Sequence, residues 1–176
     1  MPKCWSCKEN VLEITIRKGT LSDLETYMAF THDIQDAMAQ KDWFAVDPDE
    51  ETRELAEVGD LEFWLAEAQG RLAGVFSIVH PRLRDFNLGR ETGLTDMELL
   101  RVTHMDTAAV HPDFRGLGLQ RRLLQEAEGE LQGRILLCTI HPDNQYSLKN
   151  ALNLGYQIQK KVARYSSIRY ILQKNP

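Results

Sequence analysis

The segment Ala108-Ala-Val-His-Pro-Asp-Phe-Arg-Gly-Leu-Gly-Leu-Gln-Arg-Arg-Leu-Leu124 contains the end of a strand, a turn with two glycines and the start of an amphipathic helix. The free N–H groups and positive dipole end of a helix N-terminus suit a phosphate group. Arg115 adds a positive charge at the same point. The segment lacks the Gly-Lys-Ser/Thr of a P-loop and the third glycine of a dinucleotide fingerprint. It therefore predicts another kind of phosphate loop, or else a strand-to-helix turn without a ligand.

Within this segment, Arg115-Gly116-Leu117-Gly118-Leu119-Gln120 resembles the acyl-CoA pyrophosphate loop of the GNAT superfamily of N-acetyltransferases, whose pattern is Gln/Arg-x-x-Gly-x-Gly/Ala. Gln120 stands where the family has Gly or Ala, so its side chain would either crowd the pyrophosphate or donate its own amide to it. The resemblance implies acetyl-CoA as co-substrate. It also implies cofactor-binding roles for the loop residues Arg115, Gly116, Leu117, Gly118, Leu119 and Gln120.

A second motif follows about thirty residues later. The apolar run from Ile135 to Ile140 precedes Asn144-Gln-Tyr-Ser147, and the segment ends in Leu-Gly155-Tyr156. This resembles the buried strand, Asn, short helix and Leu-Gly-Phe/Tyr that GNAT proteins carry at this distance. The resemblance extends from about Glu98 to Tyr156, and it adds Asn144 and Ser147 to the expected cofactor-binding residues.

Composition predicts one domain over 1–176, with a core at about 11–173 and a flexible terminus at 1–10. A chain of 176 residues with 43% hydrophobic content can bury a good core. Three cysteines, an odd number, argue for a reducing compartment, so we expect a cytoplasmic protein. No apolar stretch approaches membrane-spanning length, and no basic patch interleaved with aromatic residues favours nucleic acid. The composition leaves the oligomeric state open, with a homodimer as one alternative.

Charge is unevenly distributed along the chain. Residues 1–100 carry 10 Lys/Arg against 20 Asp/Glu, whereas residues 101–176 carry 11 against 6. Residues 36–67 alone carry 11 Asp/Glu and 2 Lys/Arg. The basic part contains both presumed CoA motifs, and the acidic part would form most of the acceptor side. This predicts a small cationic amine or a peptide N-terminus as the acceptor, although solvated surface charge would give a similar count.

Alternation, helical spacing and turn residues predict the element order. Strands are expected at 11–17, 61–67, 71–79, 98–110, 134–140, 156–164 and 168–172. Helices are expected at 21–40, 49–58, 118–132 and 144–154. The strand–helix–strand unit from Glu98 to Ile140 requires a parallel pair, whereas the hairpins require antiparallel pairs. The predicted fold class is therefore α/β (α+β), a mixed sheet flanked by helices, which is also the fold that the resemblance implies.

In that fold the parallel strands splay apart, and the pantetheine arm of CoA lies in the gap like an added strand. The resemblance places Ala108, Ala109 and Val110 against this arm, with the Val110 N–H near the thioester oxygen. An amine that attacks the thioester generates an oxyanion, and strand N–H groups are suitable donors for it.

The attacking amine must lose a proton, since an alkylammonium has a pKa of about 10.4. Simple alternation places His104, Asp106, Ala108 and Val110 on one face of the strand, unless a bulge breaks the parity. Asp106 is the first candidate for the base and His104 the second. The alternatives are that Asp106 bonds neighbouring backbone and that His104 is a packed strand histidine.

Many GNAT enzymes place a Tyr seven residues after the motif Asn as a general acid, but this chain has Ala151 there. Thiols have a pKa of about 8.5 and can leave without an acid. Tyr146 and Ser147, one turn earlier on the helix, are the candidates to take over part of this acid role, and Tyr146 is therefore a third candidate catalytic residue. The alternatives are a packing aromatic for Tyr146 and a helix-start hydroxyl for Ser147.

Two function classes remain. The first is an N-acetyltransferase that uses acetyl-CoA on a primary amine by direct attack in a ternary complex. The second is a non-catalytic module that senses acyl-CoA or a metabolite. We expect no metal, since Cys4 and Cys7 lack a second ligand pair.

Overall fold

The computed structural model describes residues 12–176, which form a seven-stranded sheet with helices on both faces. The expected flexible terminus, together with Cys4 and Cys7, lies outside the described residues. The strands in chain order are β1 (Ile14–Lys18), β2 (Leu61–Ala68), β3 (Arg71–Val79), β4 (Val102–Val110), β5 (Ile135–Ile140), β6 (Gln157–Arg164) and β7 (Ser167–Lys174). The α-helices are α1 (Leu24–Ala37), α2 (Asp49–Glu57), α3 (Asp96–Leu99), α4 (Leu119–Gly129) and α5 (Gln145–Asn153).

The sheet has the strand order β1-β2-β3-β4-β5-β7-β6. Only β4 and β5 run parallel among the paired strands of the described chain, and α4 provides the crossover between them. The remaining pairs are antiparallel. The predicted mixed sheet, with its parallel pair at the centre, is confirmed.

Helices cover both faces because each has one apolar stripe to bury. On one face, α4 and α5 pack their buried side chains, Leu123 and Leu148 among them, against β3, β4 and β5. On the other face, α1 and α2 bury Tyr27, Ile34 and Leu55 against β2 and β3. Helices thus cover the centre of the sheet on both faces. A ligand can reach β4 and β5 at their C-terminal ends, which line a cavity.

The strand predicted from Glu98 is wrong at its start. Residues 96–99 form α3, and β4 begins only at Val102. Thr95 and Glu98 form a capping box, in which the Thr95 side chain accepts from the Glu98 N–H and Glu98 accepts from the Thr95 N–H at 2.9 Å. This reciprocal bonding favours a helical turn over an extended chain.

The last hairpin also differs from the prediction. Its turn is Tyr165-Ser166 instead of Ser166-Ser167, and β7 begins at Ser167. Tyr165 and Ser166 have φ values of 53° and 59°. Two consecutive left-handed residues are typical of the two-residue turn that matches strand twist. The turn leaves the Tyr165 ring beside the central cavity.

A β-bulge in β4 changes the faces of its later residues. Ile78 pairs with Met105 and Phe76 with Ala108, so Ser77 lies opposite both Asp106 and Thr107. Beyond the bulge, Ala108 shares a face with Met105, while Ala109 packs with the α1 side. The single face expected for His104, Asp106, Ala108 and Val110 is therefore wrong, because the extra residue reverses the parity.

Candidate active site

The two parallel strands separate partway along their length. Their pairing runs from Val102 opposite Ile135 to His104 opposite Leu137 and then stops. Beyond that point β4 continues to Val110, and β5 continues to Ile140 on the edge of β7. The separation leaves one backbone edge of β4 without a strand partner.

The free groups on this edge can be assigned from the ladder between β3 and β4. The His111 N–H donates to the Ala73 carbonyl at 2.9 Å, and Val110 lies opposite Gly74. Backbone bonding alternates along an antiparallel pair, so the N–H and C=O groups of Val110 and Ala108 point away from β3. These groups face the gap between the parallel strands, where an extended ligand can pair with them.

The glycine loop next to this edge has the backbone that a phosphate site needs. Gly116 and Gly118 have φ values of 80° and 68°, and a Cβ at either position would meet nothing within 4 Å. Gly118 is the N-cap of α4, and no side chain caps that helix. The first N–H groups of α4 are therefore free to bind an anion, and Arg115 and Gly116 lie beside them on the cavity wall.

The Gln120 side chain is held by α5. Its Nε2 donates to Ser147 Oγ at 3.2 Å, and its Oε1 accepts from Asn150 Nδ2 at 3.3 Å. Both ends of the amide are thus occupied by the second motif. Asn144 caps α5 by accepting from the Ser147 N–H at 3.2 Å. The two motifs recognised in the sequence are joined directly through Gln120.

A cavity of about 480 Å³ connects the glycine loop, the free edge of β4 and a set of polar side chains on the α1 side of the sheet. Three of the residues expected to act on a ligand, His104, Leu117 and Gly118, do not line it. The remaining predicted site residues do, namely Asp106, Ala108, Ala109, Val110, Arg115, Gly116, Leu119, Gln120, Asn144, Tyr146 and Ser147.

Asp106 occupies the bulge and is held by two hydroxyls. Its Oδ2 accepts from Ser77 Oγ and from Thr107 Oγ1, each at 3.2 Å. Burial raises the pKa of this carboxyl, and the two hydroxyl donors oppose that rise. Asp106 is therefore a carboxyl group on a cavity wall, with a pKa above that of an exposed aspartate.

His104 is placed differently. Its side chain is buried, and its Nε2 accepts from the Leu88 N–H at 3.0 Å. Burial, aided by the charges of Arg164 and His80, lowers its pKa to about 3. The ring is thus a neutral acceptor that fixes the 88–90 turn on β4, which is the packed strand histidine considered as the alternative.

A second carboxyl group, Asp47, lines the same cavity from the segment between α1 and α2. Burial and the neighbouring charges of Asp106 and Glu51 raise its pKa to about 7. Sequence reasoning missed this residue. The acidic composition of 36–67 was a signal for the region, but the approach of Asp47 to Asp106 depends on the folding of α1 over the sheet.

The wall also holds two residues from the last hairpin that the sequence did not single out. Arg169 is 5% exposed and lines the cavity beside Tyr165. The Arg169 guanidinium carbon lies 5.6 Å from the centre of the Tyr165 ring. Burial and the charges of Asp47 and Asp106 raise the pKa of the Tyr165 hydroxyl. Nothing in the sequence marks these positions, because β7 reaches the site only through its pairing with β5.

Cys138 lines the cavity from β5, and burial raises the pKa of its thiol to about 12. A thiol in that state is protonated and is a poor nucleophile. Within residues 12–176, no group of three His, Cys, Asp or Glu side chains is placed to hold a metal ion. In the same part of the chain, no helix has the length and apolarity needed to span a membrane.

Comparison with solved structures identifies proteins of the same fold. The chain is similar to yncA of Salmonella typhimurium, which was solved with its cofactor acetyl-CoA (TM-score 0.68, 18% identity, 93% of this chain and 94% of that one). It is also similar to the ribosomal-protein-alanine N-acetyltransferase of Brucella melitensis (TM-score 0.68, 19% identity, 92% of this chain and 99% of that one). A third similar structure is that of Arabidopsis thaliana NAA60 in complex with acetyl-CoA, with a TM-score of 0.68 and 14% identity over 93% of this chain and 98% of that one. At these identities the likeness establishes the fold.

No curated protein matches the chain by sequence. A family model does match, and it confirms the resemblance that the two motifs carry. The model is that of the acetyltransferase (GNAT) family, and it matches residues 29–156, which include both motifs and the whole gap between β4 and β5. The match covers more than half of the sequence, so the chain belongs to the GNAT family of acetyltransferases.

Proposed function

We propose that this protein transfers an acetyl group from acetyl-CoA to the primary amine of a small molecule or a peptide N-terminus. The observation that carries the proposal is the continuity of one cavity. It runs from an uncapped helix N-terminus, past a free strand edge, to the buried carboxyl of Asp106. An anionic cofactor and an amine thus have binding groups at opposite ends of the same space.

Acetyl-CoA fits the residues at the first end. The free N–H groups at the start of α4, with Arg115 beside them, would hold the pyrophosphate. The backbone of Ala108 and Val110 would pair with the amides of the pantetheine arm. We propose the Val110 N–H as the donor to the thioester oxygen, where negative charge develops. When bound, acetyl-CoA supplies an acetyl group activated as a thioester.

The second end supplies proton transfer. We propose that an ammonium group enters beside Asp106 and gives up a proton to its carboxylate, directly or through water. The free amine nitrogen then forms the bond to the acetyl carbon, while the bond from that carbon to sulfur breaks and the thiolate leaves. The nitrogen loses its second proton to water in this step, so that the product is a neutral amide. The raised pKa of Asp106 suits this task, because a stronger base takes the ammonium proton more readily.

Direct transfer is favoured over an acetylated enzyme. Cys138 is the cysteine on the cavity wall, and its thiol stays protonated because of its burial. A protonated thiol does not compete with a neutral amine for the thioester. The amine therefore attacks in a complex that contains both substrates.

Thiol release from acetyl-CoA across a panel of primary amines tests the proposal, with mass spectrometry of the acetylated product. We expect amine-dependent release that falls strongly in Asp106→Asn while acetyl-CoA affinity by calorimetry stays unchanged. Ala151, at the position of the family's acidic Tyr, favours a second candidate, a sensor that binds acyl-CoA without turnover. Tight acetyl-CoA binding with no release for any amine would establish the sensor and overturn the enzyme.

A further inference from the structure

Arg169 is a buried cation on the cavity wall, and its hydrogen-bond partners in the described part of the chain are all neutral. Its Nε donates to Thr139 Oγ1 at 3.1 Å, and its Nη1 donates to the Asp42 carbonyl at 3.0 Å. Its Nη2 has longer contacts, 3.5 Å to the Trp43 carbonyl and 3.4 Å to the Thr139 carbonyl. Within residues 12–176, one N–H of Nη1 therefore has no acceptor.

No carboxylate of the described chain lies within 4 Å of this guanidinium. The Asp42 side chain is the carboxylate nearby, but it is half-exposed and faces His141 Nε2 at 3.4 Å. Burial makes the pKa of Arg169 lower than usual, and the charge of Asp42 opposes that change only in part. A buried charge without an opposite charge is costly, and an anion in the cavity would offset that cost.

Two carboxyl groups in the same cavity lack a direct ion pair, although the charge of Arg164 acts on both from further away. Asp47 and Asp106 both line it, and neither has a Lys, Arg or His nitrogen within 4 Å in residues 12–176. A cation that enters there would relieve the repulsion between the two carboxyl groups. Tyr165 lines the same cavity, and its ring centre lies 5.6 Å from the guanidinium carbon of Arg169.

The cavity thus needs a ligand that carries both signs of charge. The phosphates of CoA would not supply the anion at Arg169, because the groups proposed to bind them are at the glycine loop. The backbone that Arg169 fixes belongs to residues 42–43, next to Phe44, which packs with the α1 side chains. The α1 side of the cavity also carries Asp47, so Arg169 belongs to the acceptor side.

We propose that the acceptor is an amino acid-like zwitterion, whose ammonium lies between Asp47 and Asp106 and whose carboxylate accepts from Arg169. The inference rests on the proposed acetyl transfer and sharpens its acceptor. It departs from the sequence-based expectation of an acceptor that is only cationic, because composition records the acidic segment but not a lone buried arginine. Trp43, Phe44 and Tyr165 line the same space and would pack against an apolar body.

Matched triads of acceptors test this inference in the wild-type protein. Each triad contains an amino acid, its carboxamide and the amine that lacks the acid group, with the carboxylate on the α, β or γ carbon in separate series. We expect kcat/KM for the best amino acid to exceed that of its amide by about tenfold to a hundredfold, the value of a charge-assisted hydrogen bond.

The variant Arg169→Gln keeps an amide donor for the carbonyls of 42–43 but removes the charge. We expect it to raise KM for the amino acid to the level of the amide, while kcat/KM for the amide itself changes little. A purely structural role for Arg169 would lower both equally. Thr139→Val is the control, since it removes a neutral partner of Arg169 and should preserve the preference for the amino acid.

The outcomes separate the two proposals. Equal or better turnover of the amide and of the decarboxylated amine in wild-type protein would overturn the zwitterionic acceptor and leave acetyl transfer standing. Absence of thiol release with every member of every triad would instead count against acetyl transfer itself, and the inference would fall with it. Should Arg169→Gln not fold, the wild-type triads alone decide the matter.

Discussion

Ser77 Oγ donates its hydrogen to Asp106 Oδ2 across 3.2 Å. The direction of this bond follows from the other partners of Ser77, because its oxygen accepts from Tyr27 OH at 2.9 Å and from the Thr107 N–H at 3.2 Å. With both acceptor sites in use, the hydroxyl proton goes to the carboxylate. A buried chain thus runs from α1 through β3 to the proposed base and favours its charged form.

Ser77→Ala should therefore raise the pKa of Asp106 beyond its already raised value. We expect the limb of the kcat/KM–pH profile that reports the base to move up by about one pH unit or more, since a hydrogen bond to a charged group is worth about 1.5–3 kcal/mol. Turnover near neutral pH should fall accordingly. Tyr27→Phe is the control, because it leaves the Ser77 donor in place and should shift the limb less. An unchanged limb in Ser77→Ala would mean that Asp106 is not the group that titrates.

Gly118→Asp should abolish acetyl-CoA binding in a folded protein. The change places a negative side chain at the open N-terminus of α4, where the pyrophosphate must approach the backbone. Gly133→Asp is the matched control, since Gly133 has a φ of 73° beside 68° for Gly118, and an added Cβ meets nothing at either site. Both variants carry the same backbone strain and the same charge. Calorimetry should detect acetyl-CoA binding in Gly133→Asp only, and retained affinity in Gly118→Asp would refute the loop assignment.

Asp47 should make the protein less stable as pH rises. In the unfolded chain an Asp ionises at about pH 3.9, whereas in the folded protein the pKa of Asp47 is about 7. Between these values the unfolded state releases a proton that the folded state keeps, so the free energy of unfolding falls from about pH 4 to pH 7. Asp47→Asn should flatten this slope and raise stability at pH 8, as urea denaturation at pH 4, 6 and 8 would measure.

Asp49, two residues away, provides a comparison because its pKa is shifted in the opposite direction to that of Asp47. His32 donates a hydrogen bond to its carboxylate, which lowers the pKa of Asp49. Its stabilising contribution is present above the unfolded pKa and is lost as pH falls, so Asp49→Asn should reduce stability at pH 8. If both variants change stability at pH 8 in the same direction, burial of Asp47 does not explain the fall in the free energy of unfolding as pH rises.

The sequence predicts the local structure at the glycine-loop end of the cavity well and the side chains on its α1 side poorly, for a physical reason. The glycine loop, the helix start and the Asn144 cap are local features, each fixed by residues close together in the chain. The wall on the α1 side, which we propose to bind the acceptor, depends instead on contacts far apart in sequence. Asp47 and Arg169 are brought to one cavity by the packing of α1 and the pairing of β7 with β5.

Two errors in the strand assignments have different origins. The capping box of Thr95 and Glu98 is visible in the sequence as Thr-Asp-Met-Glu and could have ended the predicted strand correctly. The bulge at Asp106 and Thr107 is not visible, because it is a property of the pairing with Ser77 and not of β4 alone. A bulge at this point also reverses the face of every later residue.

Tyr146→Phe should leave turnover almost unchanged. Tyr146 lines the cavity at the start of α5 but is 58% exposed, so water competes for any hydrogen bond that its hydroxyl makes. Ala151, at the position of the family's acidic Tyr, is 4% exposed and packs in the core. A thiol with a pKa of about 8.5 leaves as thiolate near neutral pH without help. We expect kcat/KM to change by about twofold or less, the usual range for an exposed substitution, whereas Asp106→Asn should reduce it far more. Comparable losses in the two variants would show that the Tyr146 hydroxyl protonates the leaving group.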